Sequence, residues 1–266
     1  MLLTRVLTAV VLLPLVLAGI YLLPPVHFAW VTAVIFALGA YEWVQLTLGA
    51  HSPLRWPFYI AYSAICASLW TFEQAAIAWL GLASLAWLWA IWEVVRIRTL
   101  PEADDRIRPH WVVLGLIMLP GAWVGLLSLR DPQPHLLVAV CLIVWGADVG
   151  AYFVGRKLGR RKLAPFVSPG KTWEGALGGS VIGAAAALAF ALATGIWGLS
   201  PLLVFGVYAL TALAVFGDLF ESVLKRTRGA KDSGRLLPGH GGVLDRVDAL
   251  IAVLPVAALW MSLMTG

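Results

Sequence analysis

The fold is decided by the stretch from Pro201 to Arg226, which reads PLLVFGVYALTALAVFGDLFESVLKR. It opens with an apolar run of about 20 residues, the length that a helix needs to cross the hydrocarbon core of a bilayer. The charged residues that follow continue the same helical period. The stretch therefore predicts a membrane-spanning helix that carries polar side chains at one end.

Composition extends this interpretation to the whole chain. Of the 266 residues, 61% are hydrophobic and 12% are charged, whereas soluble domains carry about 25% charged residues. The apolar runs are also too long for β-barrel strands, which would alternate in segments of about ten residues. We therefore predict an all-α fold, a polytopic transmembrane helical bundle in a single membrane domain, 1–266.

Nine spans are predicted. They cover 6–23, 26–46, 57–73, 75–95, 110–129, 134–154, 173–195, 201–220 and 246–264. The N-terminal spans lie within 1–130. The C-terminal half, 131–266, contains two charged loops, 155–172 and 221–246, which make it the candidate catalytic half. Loop 96–109 is interpreted as a solvated connector.

Basic residues set the predicted orientation. With the N-terminus in the cytoplasm, every Lys and Arg except Arg130 falls on the cytoplasmic side. Loops rich in Lys and Arg stay in the cytoplasm, so the rule predicts N-in and C-out. We therefore expect a protein of the bacterial cytoplasmic membrane, with its charged loops, and any active site in them, facing the cytoplasm.

Carboxylates near the ends of the spans are the first candidates for chemistry. On a helix that continues past 220, Asp218, Glu221, Ser222 and Lys225 share one face. Asp218 would lie about 10 Å below Lys225, at membrane depth. A carboxylate inside a span is costly and normally faces a polar cavity, so its presence indicates function.

Two further helices are predicted to bring acids to the same depth. Asp148 precedes Arg156 by eight residues, and Asp245 and Asp248 share a face of the last span. Acids below a cluster of Lys and Arg suit a magnesium nucleotide, because Mg²⁺ takes carboxylate and phosphate oxygens while the cations bind the remaining phosphate charge. The alternative is a buried network in which the acids only neutralise basic side chains.

The loop before the seventh span is a candidate phosphate site. It reads SPGKTWEG from Ser168 to Gly175, and the Ser-Pro pair predicts a capped helix start with free N–H groups for an anion. A Walker phosphate loop is rejected, because Pro165 occupies the position of its first glycine. The basic run 156–162 has two interpretations, phosphate binding and membrane anchoring, and both stay open. His240 is either a metal ligand or part of a polar turn.

Small residues recur four apart in the spans flanking this loop. The spacings Gly146/Gly150, Gly175/Gly179 and Gly179/Gly183 predict close helix packing rather than ligand binding.

The stretch from Ser222 to Asp248 resembles the phosphatidate cytidylyltransferase family, also called CDP-diglyceride synthases. It follows the pattern S-x-L-K-R, four residues, K-D, then P-G-H-G-G-x-x-D-R-x-D. The segments 217–222 and 168–175 are similar to that family as well, so the resemblance covers roughly the C-terminal half. It implies that phosphatidate attacks the α-phosphorus of CTP to give CDP-diacylglycerol and pyrophosphate.

The resemblance also implies Mg²⁺ as cofactor, held by Asp218 and Asp245, and leaves a second cation open. The implied partners are CTP, phosphatidate and the bilayer. No nucleic acid is expected, and a homodimer is left open. The candidate catalytic residues are Asp218, Asp245, Lys225 and Asp148; the candidate substrate-binding residues are Ser168, Lys171, Thr172, Glu174, Glu221, Ser222, Arg226, Lys231, Asp232, Arg246 and Asp248.

Two rival functions remain at this point. A CTP-dependent lipid kinase of related build would use the same metal and triphosphate groups but transfer the γ-phosphoryl group. A transporter would be expected to show internal repeats and helices broken at mid-bilayer. The sequence shows no such repeat, and its polar residues gather at one face of the bilayer.

Overall fold

The computed structural model describes residues 2–99, 103–104, 106–131, 133–236 and 241–265, with side chains from Val11 to Met264. Within these ranges the chain forms nine helices and one β-hairpin. In chain order they are α1 (Leu2–Leu22), α2 (Pro25–Thr47), α3 (Arg55–Thr71), α4 (Glu73–Arg96), α5 (Pro109–Arg130), α6 (Pro134–Leu158), β1 (Lys162–Ala164), β2 (Ser168–Thr172), α7 (Trp173–Thr194), α8 (Pro201–Thr227) and α9 (Leu244–Thr265).

Seven helices in the described ranges are long and apolar enough to cross a membrane, namely α2 and α4 to α9. α3 has 17 residues, and the described apolar part of α1, Val11–Leu22, is also short. The predicted transmembrane helical bundle is therefore confirmed. The count of nine spans and the N-in, C-out orientation stay predictions.

Proline and small polar residues fix the helix starts. α2, α5, α6 and α8 each carry Pro in the first turn, where the missing N–H has no helical partner to lose. Ser200 caps α8 by accepting a hydrogen bond of 3.1 Å from the Leu203 amide. α7 is followed by Gly195, whose φ of 68° is left-handed; this conformation favours glycine and ends the helix.

Glycines bring α6 and α7 into direct backbone contact. A Cβ added at Gly146 would lie 2.8 Å from the Gly183 Cα, and one at Gly150 would lie 2.9 Å from the Gly179 Cα. Only glycine permits this approach, so the small-residue spacings do serve helix packing, as predicted. The contact fixes the position of Asp148, which lies between the two α6 glycines in sequence.

α9 packs against α2, α4, α5, α6 and α8, and its residues Ile251, Ala252, Val253 and Leu254 are buried. Pro255 lies inside α9. Because proline has no N–H, the Ile251 carbonyl lacks the helical hydrogen bond that any other residue at position 255 would donate. The indole of Trp87 on α4 donates to this carbonyl at 3.1 Å. An indole from the N-terminal half thus satisfies the carbonyl that the proline leaves free.

Close contact between α8 and α9 brings two acids together. A Cβ at Gly217 would lie 2.8 Å from the Asp248 carbonyl and 2.9 Å from the Ala249 Cα. The glycine therefore allows α8 to approach α9 where Asp218 and Asp248 lie.

Three details differ from the prediction. Residues 162–172 form a small antiparallel hairpin, with Lys162 opposite Thr172 and Ala164 opposite Ser168, so the fold is not entirely helical. α7 begins at Trp173 and is capped by Thr172, which accepts from the Gly175 amide at 3.1 Å; the predicted cap at Ser168 was wrong because that residue is in β2.

Helix boundaries are the third difference. α6 continues to Leu158 and α8 to Thr227, so the two charged loops are shorter than 155–172 and 221–246. The residues just beyond the apolar runs include Leu, Lys, Arg and Glu, which favour helix and so extend each one past its apolar part.

Candidate active site

The polar end of α8 carries one continuous row of functional side chains. Ser222 Oγ lies 3.4 Å from Asp218 Oδ1, and Lys225 Nζ lies 2.5 Å from Glu221 Oε2. Asp218 is partly exposed, whereas Glu221, Ser222 and Lys225 are buried. The predicted shared face is confirmed, with its accessible end at Asp218.

Asp245, at the start of α9, accepts four hydrogen bonds. Its Oδ1 is 2.6 Å from Lys225 Nζ. Its Oδ2 accepts from the Ser233 amide at 2.9 Å, the Ser233 hydroxyl at 2.9 Å and the Gly242 amide at 2.8 Å. Lys225 is thus held between Glu221 and Asp245. Asp245 connects α8, the segment around Ser233 and the first turn of α9.

Lys171 joins the hairpin to α8. Its Nζ is 2.5 Å from Asp218 Oδ2, and the two side chains are 25% and 32% exposed. Lys171 is therefore more accessible than Lys225, whose side chain is 11% exposed. Of these two lysines, Lys171 is the one that a ligand can reach without opening the helix packing.

An acidic cluster, defined as Asp148, Asp218 and Asp248, draws on three different helices. Asp148 interacts electrostatically with Asp218, and Asp248 with both of the others. Lys171 and Arg246 offset part of this charge at Asp148. A bound cation would reduce the repulsion among these carboxylates.

The side chains offer oxygen ligands of the kind that Mg²⁺ prefers. Glu221 adds a buried Oε1 that has no hydrogen-bond partner. Within the described ranges, no three His, Cys, Asp or Glu side chains are arranged closely enough to hold a metal ion as they stand. The donor chemistry fits Mg²⁺. The binding of one ion by both Asp218 and Asp245 stays a prediction. Asp245 would first have to give up one of the hydrogen bonds that it accepts from Lys225, Ser233 and Gly242.

Glu42 on α2 belongs to this site and was missed from the sequence. It is 1% exposed. Its carboxylate accepts from the Val243 amide at 3.1 Å, the Leu244 amide at 2.7 Å and the Ser233 hydroxyl at 2.9 Å. A signal was present, because Glu42 is an acid inside a predicted span, which is the criterion that indicated Asp148.

Several other predicted residues hold the loops around the site. Glu174 accepts from the Arg160 amide at 3.0 Å and from the Arg161 amide at 3.2 Å. Arg226 donates to the Val167 carbonyl at 3.3 Å and to the Ala230 carbonyl at 3.2 Å. These contacts fasten the hairpin to α7 and α8.

The remaining predicted residues are at or near the surface. Ser168 is half-buried in β2, whereas Lys231, Asp232 and Arg246 are exposed. His240, Glu102 and Asp105 lie outside the described residues. A set of exposed cations, which we call the basic rim, consists of Arg156, Lys157, Arg160, Arg161, Lys162, Lys231, Arg235 and Arg246.

An apolar groove of about 470 Å³ lies between the end of α4, the hairpin, α7 and α8. Its walls include Phe166, Trp173, Phe216 and Leu219, with Arg98 among the few polar residues. Leu219 follows Asp218 in sequence and Trp173 follows Thr172, so the groove adjoins elements that carry the site.

The sequence of the chain is similar to those of known proteins. The family model described as the cytidylyltransferase family matches residues 3–264. The phosphatidate cytidylyltransferase of Pseudomonas aeruginosa is 44% identical over 98% of this chain and 97% of its own length.

More distant relatives with the same name align over comparable lengths. The Haemophilus influenzae protein is 35% identical over 96% of both chains, and the Brucella suis protein is 35% identical over 97% of this chain and 92% of its own. The match thus includes the N-terminal half, for which the sequence alone offered only hydropathy. The chain belongs to the cytidylyltransferase family.

Proposed function

We propose that this chain is a phosphatidate cytidylyltransferase, which joins CTP to phosphatidate and releases pyrophosphate. The observation that carries the proposal is the acidic cluster, together with Lys171 bound to Asp218 and the exposed cations of the basic rim. A nucleotide triphosphate with a divalent cation requires this combination of carboxylates and cations. The names of relatives that align over nearly the whole chain supply the lipid substrate.

The reaction needs no general base from the protein. A phosphate monoester has a second pKa of about 6, so phosphatidate is mostly a dianion at neutral pH. One of its oxygens attacks the α-phosphorus of CTP, and the bond from that phosphorus to the bridging oxygen breaks. The bonding pair leaves with pyrophosphate. The main barrier is repulsion between two anions, which fixed positive charge lowers.

Lys171 and the basic rim are proposed to bind the phosphates. Lys171 extends from the hairpin to Asp218 and can exchange the Asp218 carboxylate for a phosphate oxygen. Lys225 is buried between Glu221 and Asp245, and is proposed to keep both carboxylates in place rather than to bind phosphate itself. Thr172, Glu174 and Arg226, which the sequence predicted as substrate contacts, are proposed to act by shaping the hairpin.

Mg²⁺ is the proposed cofactor, and when bound it would neutralise the triphosphate and the departing pyrophosphate. Asp218 is the ligand best placed for it, because it is partly exposed and its Oδ1 accepts a long hydrogen bond of 3.4 Å from the Ser222 hydroxyl. Asp245 remains the proposed second ligand. The neighbouring Asp148 and Asp248 would add negative charge that attracts the ion.

We further propose nine spans with the N-terminus inside, in the bacterial cytoplasmic membrane, with the site open to the cytoplasm. This arrangement lets CTP enter from the cytosol and phosphatidate from the bilayer. The apolar groove beside the hairpin has the chemistry that an acyl chain of the lipid requires, next to elements that carry the polar site.

Product analysis tests the reaction. Purified full-length protein in detergent is incubated with Mg²⁺, phosphatidate and CTP that is labelled at either the α- or the γ-phosphate. Label from the α-position should appear in the lipid, and pyrophosphate should be released in equal amount. Lipid labelled from the γ-position would identify a lipid kinase and overturn the proposal.

A further inference from the structure

The segment between α8 and α9 is fastened to the C-terminal end of α2. We propose that Glu42 is a positioning residue that fixes the start of α9, and through it the Asp245 carboxylate, for nucleotidyl transfer. The inference rests on the proposed function for its kinetic consequence, while its geometry stands independently.

Glu42 holds the first turn of α9 directly. The amides of Val243 and Leu244 have no partner within the helix, because they belong to its start. Both donate to the Glu42 carboxylate, at 3.1 Å and 2.7 Å. A carboxylate at a helix N-terminus is also favoured by the helix dipole. An acid from α2 therefore does for α9 what a local capping residue usually does.

Ser233 connects Glu42 to Asp245. Its Oγ lies 2.9 Å from Glu42 Oε2 and 2.9 Å from Asp245 Oδ2. A hydroxyl has one proton, so the two carboxylates share one donor. A displacement of Glu42 is thereby passed to Asp245 through one side chain.

The backbone beside Glu42 is shaped to admit the carboxylate. A Cβ added at Gly234 or at Gly242 would overlap the Glu42 side chain. Both positions must therefore be glycine while Glu42 keeps its present place.

Arg228 makes a second attachment to the same end of α2. Its Nε donates to the Leu46 carbonyl at 2.8 Å and its Nη2 to the Thr47 carbonyl at 2.7 Å. These carbonyls belong to the last turn of α2, where helical partners are missing and a cation is favoured. The described segment is thus tied to α2 after α8 and again before α9.

The groups that meet Glu42 make glutamine a sharp test. Val243 N–H, Leu244 N–H and the Ser233 hydroxyl all donate, and a carboxylate accepts at both oxygens. The amide of Glu42→Gln has nearly the same shape but would direct its NH₂ group at a donor. The variant therefore changes hydrogen bonding without leaving a cavity.

The experiment compares Glu42→Gln with Thr32→Val in the full-length protein. Thr32 is also buried on α2, but it bonds Phe28, Ala29 and Trp123. We expect Glu42→Gln to lower kcat about 10- to 100-fold, the usual effect of losing a residue that orients a ligand, with little change in KM for CTP. Thr32→Val should retain wild-type kcat per folded molecule.

Hydrogen exchange provides the readout that does not depend on activity. In Glu42→Gln the peptide that contains Val243 and Leu244 should exchange about tenfold faster, whereas peptides from α6 and α7 should not change. Ser233→Ala should lower kcat but leave exchange at Leu244 slow, because the Leu244 amide still donates to Glu42. This variant tests the inference if Glu42→Gln does not fold. Wild-type kcat in either Ser233→Ala or a folded Glu42→Gln would overturn the inference. If wild type makes no CDP-diacylglycerol, the proposed function fails, and unchanged exchange in Glu42→Gln would separately refute the attachment.

Discussion

Lys171 Nζ lies 2.5 Å from Asp218 Oδ2, so an accessible ion pair joins the hairpin to α8. Asp218 in turn interacts with Asp148 and Asp248. A bound phosphate can compete for the lysine, and a bound cation can compete for the carboxylate. The pair is therefore the contact at which a magnesium nucleotide would change the site most.

The two lysines of the site should respond differently to truncation. Lys171→Ala should lower kcat/KM for CTP about 10- to 100-fold, as expected when a charged hydrogen bond to phosphate is lost, with little change in melting temperature. Lys162→Ala on the same hairpin is the matched control and should cost less. Full activity in Lys171→Ala would mean that this lysine does not bind phosphate and contributes only to the orientation of the chain in the membrane.

Lys225→Ala should lower both activity and stability. It would leave the buried carboxylates of Glu221 and Asp245 without their shared cation, and breaking such a pair costs about 3–5 kcal/mol. Thermal unfolding in detergent, measured alongside turnover, checks this. A loss of activity with an unchanged melting temperature would instead favour direct contact with phosphate.

Asp218→Asn and Asp245→Asn should each reduce turnover about 10³-fold, which corresponds to roughly 4 kcal/mol in the transition state. Asparagine keeps the size but removes the charge that a metal ligand needs. Glu221→Gln and Asp248→Asn should cost less. Turnover is measured across a Mg²⁺ titration, and wild-type rates for Asp218→Asn at saturating Mg²⁺ would refute the metal assignment.

Orientation can be read from the C-terminus. With every Lys and Arg except Arg130 predicted inside, a phosphatase reporter fused after Gly266 should be active, because that enzyme works only outside the cytoplasm. A fusion within loop 96–109 is the internal control and should be inactive. Activity of a cytoplasm-only reporter at the C-terminus would mean that the span count is wrong by an odd number.

The indole of Trp87 should contribute to stability through one carbonyl. Trp87→Phe removes the donor to Ile251 and should cost about 1–3 kcal/mol, the penalty for a buried unpaired polar group. In a Pro255→Ala background the helix supplies its own N–H, so the same change should cost less. Trp30→Phe, at a position that is 71% exposed, should be nearly neutral; equal costs in the two backgrounds would contradict the assignment.

Local patterns in the sequence predicted the parts of the site that lie on one helix. The row from Asp218 to Lys225 followed from helical spacing, and the glycine contacts of α6 and α7 followed from residue size. The hairpin was missed because Ser168-Pro169 is equally compatible with a helix start. Glu42 is an acid inside a predicted span, and that signal was overlooked. Its place in the site could not be predicted, because its partners lie about 200 residues further along the chain and no local pattern reports such a contact.

The attachment of α9 to Glu42 also has a consequence for the order of synthesis. The ribosome makes α2 long before it makes Ser233, Val243 and Leu244, so Glu42 enters the membrane without any of these three donors. An unpaired acid inside a span is costly, and the nascent protein must keep that end of α2 near water until the last helix arrives. Translation of α9 therefore completes the site and supplies the hydrogen-bond donors that Glu42 lacks until then. A chain that stops before Leu244 would expose an unsatisfied acid that membrane quality control could recognise.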